Sequence, residues 1–181
     1  MMPGYQTYYN QFLKLLDTCS NDQAGWEKLA EFLAARNRTW LKVIDPATGM
    51  SPFHVLAQRG CSYLLEMIYK DGSEEGVAWN YKKQHYADHS RLRRTPLHHA
   101  VMSGNAATYS CIAHQIPPAY INEADDDGNT ALHSAIINAC DRDMLEAVID
   151  SGVDRERENR AGVCARDIKP RGWFQSNPLK K

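Results

Sequence analysis

Apolar residues recur along this chain at helical spacing, in short stripes separated by polar turns. Tyr5, Tyr8, Tyr9, Phe12, Leu15 and Leu16 fall on one face of a helix. Trp26, Leu29, Phe32 and Leu33 form a second stripe after the polar start Ser20-Asn21-Asp22. Together they predict a helical pair over residues 4 to 38 that buries its apolar faces on whatever follows. Farther on, Tyr63, Leu64, Met67 and Ile68 make a shorter stripe, and Met144, Leu145, Val148 and Ile149 another. Gly72 and Gly152 stand where these two helices would close. The pattern predicts an all-α fold.

Between the stripes the chain repeats itself. Ser51-Pro52-Phe53-His54, Thr95-Pro96-Leu97-His98 and Thr130-Ala131-Leu132-His133 align, and Gly162-Val163-Cys164-Ala165-Arg166-Asp167 is a weaker fourth copy. Thr95 lies 44 residues after Ser51, Thr130 lies 35 after Thr95, and Cys164 lies 34 after Thr130. Ala57, Ala100 and Ala135 follow at nearly matched offsets, and so do Gly60 and Gly104. Gly49 and Gly128 each fall two residues before the motif. Local physics reads each copy as a helix start. The Ser or Thr is an N-cap whose hydroxyl takes an orphan N–H of the first turn. Pro52 and Pro96 occupy the first helical position, where the missing N–H costs nothing. The His three residues on can reach back to the cap, as Glu does in a capping box. Each unit is then a turn and a helix pair, stable only in a stack.

These residues resemble the ankyrin repeat, whose period is about 33 residues and whose signature is T-P-L-H-x-A. The resemblance covers roughly residues 45 to 169, and Thr95 to Ala100 match every specified position. It implies an ankyrin-repeat solenoid with an N-terminal helical cap. Ser51, His54, Thr95, Pro96, His98, Thr130 and His133 would be its structural motif residues. The chain divides into a cap over 1–44, repeats over 45–170 with an insertion near 73–90, and a tail over 171–181. Four departures stand out. Arg93 replaces a turn Gly, the second helix of repeat two stops at Pro117-Pro118, and Ala139 replaces a helix-ending Gly. Repeat four has Arg166 at the Leu position and Pro170 soon after, and reads as a degenerate, polar end cap. The insertion carries Trp79, Tyr81 and Tyr86; it reads equally as a loop packed on the stack or as a recognition loop. Trp173 and Phe174 of the tail are expected to lie back on the last repeat.

Composition narrows the functional classes. Lys plus Arg number 21 and Asp plus Glu number 22, for a net charge of −1. A nucleic-acid partner would ask for a basic excess. No apolar run approaches a membrane span, and the first residues lack the apolar stretch of a signal peptide. Five cysteines without framework spacing suit free thiols in a reducing, cytoplasmic setting.

The search for chemistry returns little. His85 and His89 stand four apart with Asp88 between them, but no second cluster is spaced like a zinc site. Asp125-Asp126-Asp127-Gly128 lacks the alternating acids and distal Glu of a calcium loop and reads as a solvated turn tip. Cys111 and His114 share a helix face expected to be core. No nucleophile elbow, phosphate-binding glycine loop or dinucleotide fingerprint is present. The expectation is therefore a non-enzyme, with no cofactor, metal or catalytic residue.

The resemblance implies a monomeric module that binds another protein, with neither nucleic acid nor membrane as partner. Ankyrin stacks bind through turn tips and inner helices, at positions four, three and one before the motif Thr and seven and eight after it. Those offsets and the insertion select Met50, Arg59, Trp79, Tyr81, Arg91, Arg94, Met102, Asp126, Asp127 and Ile137 as partner-binding residues. Met50, Met102 and Ile137 stand out as apolar positions on a face expected to be wet. Two alternatives belong to other classes. One is a targeting or regulatory domain of an enzyme. The other is an ankyrin-type effector delivered into a host cytoplasm by an intracellular bacterium.

Overall fold

Each inner helix begins with the same reciprocal arrangement of cap and histidine. In the computed structural model, which describes residues 3–18, 23–34, 44–45, 48–70 and 93–168, Ser51, Thr95 and Thr130 are extended residues that open helices. Those helices are α3 (Pro52–Gln58), α5 (Pro96–Ser103) and α7 (Ala131–Ile137). Each cap side chain accepts the N–H of the third helical residue, and the His there takes the cap's own N–H. Each pair of orphan groups is thereby closed.

A second, outer helix follows each inner one: α4 (Ser62–Lys70), α6 (Ala106–Ala113) and α8 (Arg142–Asp150). Asn105 and Asp141 cap α6 and α8 by accepting from the N–H groups of Thr108 and Met144, both at 2.9 Å. The inner helices stop in tight left-handed residues, Gly60 at φ +68°, Gly104 at φ +71° and Ala139 at φ +50°. Ala139 is the only non-glycine there among the described residues, and it adopts the conformation its place in the repeat demands.

Helices α3, α5 and α7 pack side by side in one row and α4, α6 and α8 in another. Between the rows runs a continuous core that includes Leu56, Leu65, Ala100, Tyr109, Ala135, Ile136 and Val148. Alanines at the inner contacts let the rows approach closely. Helices α1 (Pro3–Thr18) and α2 (Gln23–Ala34) extend the rows at the other end. The α2 helix lies against α4. The α1 helix is held by Tyr9, whose OH donates to the Met50 carbonyl at 3.2 Å, and by an ion pair between Asp17 and Arg59. Tyr9, Phe12, Leu16, Leu29 and Phe32 are buried, as the two stripes require.

Some expectations are corrected. Tyr63 points outward and Leu65 takes its place inside, because the face of α4 is set by its neighbours rather than by the stripe alone. The described residues contain eight α-helices. The fourth repeat supplies only a 3-10 turn, Ala165–Asp167, where an inner helix would stand. The α6 helix ends at Ala113, and Pro118–Tyr120 form a 3-10 turn beyond it. Its face is not wholly core: Cys111 is half-buried and His114 exposed. Among the described residues there is no strand, only one isolated bridge between Glu158 and Cys164.

Candidate interaction surface

Stacked turn tips form one border of the inner-helix face, and an acidic or amide side chain shapes those of repeats one, three and four. Asp125 accepts from the N–H groups of Asp127 and Asn129 at 3.0 and 2.9 Å; Asn159 does the same for Ala161 and Val163. In repeat one Asp45 accepts from the Thr48 hydroxyl at 2.7 Å and its N–H at 3.1 Å. These Asx turns replace peptide hydrogen bonds that a tight turn cannot make. Asp125 is accordingly buried rather than solvated, while Asp127 is exposed.

Neighbouring tips touch. The Arg160 N–H donates to the Asp127 carbonyl at 2.9 Å, and the Asn159 amide donates to the Asn129 side chain at 3.0 Å. Gly128 lies under this contact at φ +80°, where a Cβ would meet the Arg160 nitrogen at 2.6 Å. Arg93 spans repeats two and three, donating from Nε to both Asp126 oxygens at 2.8 and 3.0 Å. That guanidinium holds the Asp126 carboxyl below its ordinary range.

The motif histidines join the same border to the helices. Nδ1 of His54, His98 and His133 accepts a peptide N–H, which can only donate, so the ring proton sits on Nε2. Each Nε2 then donates to the carbonyl one residue before the next motif: Arg94 at 3.2 Å, Asn129 at 2.8 Å and Val163 at 3.0 Å. Three repeat seams are pinned in one way.

On this frame the expected partner-binding residues have distinct settings. Met102 and Ile137 close the neighbouring helices α5 and α7 and are 42% and 54% exposed. Met50 is half-buried and packs against the core. Arg94 is half-buried, its Nη1 3.2 Å from the Met102 sulfur and its Nε 3.9 Å from Asp125. Arg59 faces Asp17 of α1, and Asp126 is engaged by Arg93. Trp79, Tyr81 and Arg91 lie outside the described residues, as do His85, Asp88, His89, Trp173 and Phe174. Sequence reasoning missed Arg93 as a link between tips and missed the turn role of Asp125 and Asn159. The recurring Asp or Asn five residues before the third and fourth motif positions was the available signal.

A family model described as ankyrin repeats (3 copies) matches residues 70–159. The chain is an ankyrin-repeat protein. The match begins after α3, yet Ser51 and His54 make the hydrogen bonds of the later ankyrin copies. Ankyrin repeats are generally protein–protein interaction modules and typically not enzymes. Among curated proteins, alpha-latrotoxin-Lt1a of Latrodectus tredecimguttatus is 34% identical over 88 residues, 49% of this chain and 6% of the toxin. Alpha-latrotoxin-Lg1a of Latrodectus geometricus is 32% identical over 102 residues, 56% of this chain and 6% of the toxin. The chain thus spans about 6% of the length of these relatives. No described helix is long and apolar enough to cross a membrane, and no described group of three His, Cys, Asp or Glu is placed to hold a metal ion.

Proposed function

We propose that the stack binds a partner protein across the ends of α5 and α7 and the adjoining turn tips. One observation carries this reading: Met102 and Ile137 are exposed at equivalent positions of the neighbouring inner helices α5 and α7. Isolated exposed apolar residues are ordinary, but two on a rigid, shared face can anchor an interface. Arg94, Asp126 and Asp127 border them, so both signs of charge are available to orient a partner. Because Arg93 and Asp126 neutralise each other, the border is not the cationic stripe a nucleic acid would need. Met50 and Arg59 extend the surface toward α1. Trp79, Tyr81 and Arg91 join the proposal on their sequence positions.

The test is affinity capture with the wild-type chain beside the double variant Met102→Asp, Ile137→Asp, each checked by a thermal melt. The pair is expected to lose a partner the wild type retains, at an unchanged melting temperature. Retained binding would move the surface elsewhere. Loss of fold would mean that the two residues are core.

A further inference from the structure

Repeats one and two meet through more imidazole than repeats two and three. His54 on α3 and His99 on α5 are both buried. Their rings meet edge to face, centroids 5.5 Å apart and planes at 85°. At the equivalent position of the next repeat stands Ser134. Both nitrogens of His54 are committed, Nδ1 to the Ser51 N–H and hydroxyl and Nε2 to the Arg94 carbonyl. Nδ1 of His99 is buried without a hydrogen-bond partner among the described residues. A proton added there becomes an N–H with no acceptor, and one added to His54 is turned against the Ser51 N–H.

Among the described residues, the helices packed against α3 and α5 supply one carboxylate, Glu66 of α4, and it is exposed. None of α3, α5, α6 and α7 contains an Asp or Glu. Arg94, just before α5, and His98, on it, bear on His99 and oppose positive charge. Asp125 lies 3.9 Å from Arg94 Nε and is engaged by the N–H groups of its own turn. On α6, the Tyr109 OH pairs with Ser151, the Cys111 thiol points to the Ser62 carbonyl and His114 bonds the Ser110 carbonyl. On α7, His133 is held between Thr130 and Val163. Burial pushes His54 down to about 4; burial, with His54, His98 and Arg94 nearby, pushes His99 down to about 3.

We propose that the seam between α3 and α5 is an acid-sensitive joint, at which protonation of His54 and His99 releases repeat one and helices α1 and α2 while α5 to α8 stay folded. Opening exposes two imidazoles that take up protons below about pH 6.5. Its equilibrium constant therefore rises about a hundredfold per pH unit of acidification, against about tenfold for one imidazole.

Hydrogen exchange of the full chain between about pH 6 and about pH 4.5, corrected for the intrinsic pH dependence of exchange, reads this directly. Amides of α3 are expected to lose protection with the two-proton slope while those of α7 stay protected. His99→Phe keeps the ring contact, removes the titration and is expected to reduce the slope to about one proton. His99→Gln serves the same purpose if the Phe variant does not fold. Simultaneous loss of protection in α3 and α7, undiminished protection of α3 in acid, or an unchanged slope in the variant would overturn the joint.

Discussion

Ala139 and Gly128 show how strictly the repeat dictates backbone conformation at single residues. Ala139 adopts φ +50°, a left-handed value that costs an L-residue with a Cβ about 1 to 2 kcal/mol. Ala139→Gly should therefore raise stability by about 0.5 to 1 kcal/mol, the relief being offset by the greater freedom of Gly in the unfolded chain. Gly128 is the opposite case. At φ +80° a Cβ would stand 2.6 Å from the Arg160 backbone nitrogen, and backbone cannot step aside as a flexible side chain can. Gly128→Ala should lower stability by on the order of 2 kcal/mol or more. Urea midpoints of the two variants, moving in opposite directions, check the pair. Sequence alignment alone marks both positions, because each is defined by its offset from the motif Thr.

At the scale of the element, the motif histidine serves two helix pairs at once. His133 caps α7 through Thr130 and pins the fourth repeat through the Val163 carbonyl. Thr130→Ala removes a cap alone and should cost on the order of 1 kcal/mol. His133→Ala also removes the ring N–H that crosses to the Val163 carbonyl, which keeps only the Asn159 N–H, and empties buried volume; it should cost on the order of 3 kcal/mol. If thermal melts of the two variants coincided, the link between repeats would carry no energy. Helix starts were legible in the sequence because caps act within four residues. The partners of Nε2 were not, since Arg94, Asn129 and Val163 lie 30 to 40 residues away. The outward turn of Tyr63 was hidden for the same reason: the face α4 buries is chosen by α2 and α6.

For the whole molecule, these histidines make stability depend on pH. His54 is pushed down to about 4 from 6.5 in the folded chain, so the unfolded chain binds the proton first. Its contribution is complete above about pH 6.5 and falls away as the pH drops toward 4, by on the order of 3 kcal/mol. His99 adds a loss of the same sign that continues to about pH 3, and His133 is shifted in the same direction by burial. Urea unfolding should show a clearly lower midpoint at about pH 4.5 than at about pH 7.5. A midpoint independent of pH across that range would contradict the neutral, buried state of these rings.

The sequence by itself determined the all-helical repeat, the register of its caps and the positions of its turns. Those features rest on contacts within a few residues and on a spacing that recurs. It also placed Met102 and Ile137 on the inner face, since the offset from Thr95 and Thr130 carries them there. Only the tertiary structure decided which of the selected side chains pack inward and which take partners: Met50 packs against the core, exposed Arg59 meets Asp17, and Asp126 is taken by Arg93. It alone brought His54 and His99 together. Those outcomes depend on which repeat lies against which, and on residues far apart in the chain competing for the same surface. A local pattern carries no record of that competition.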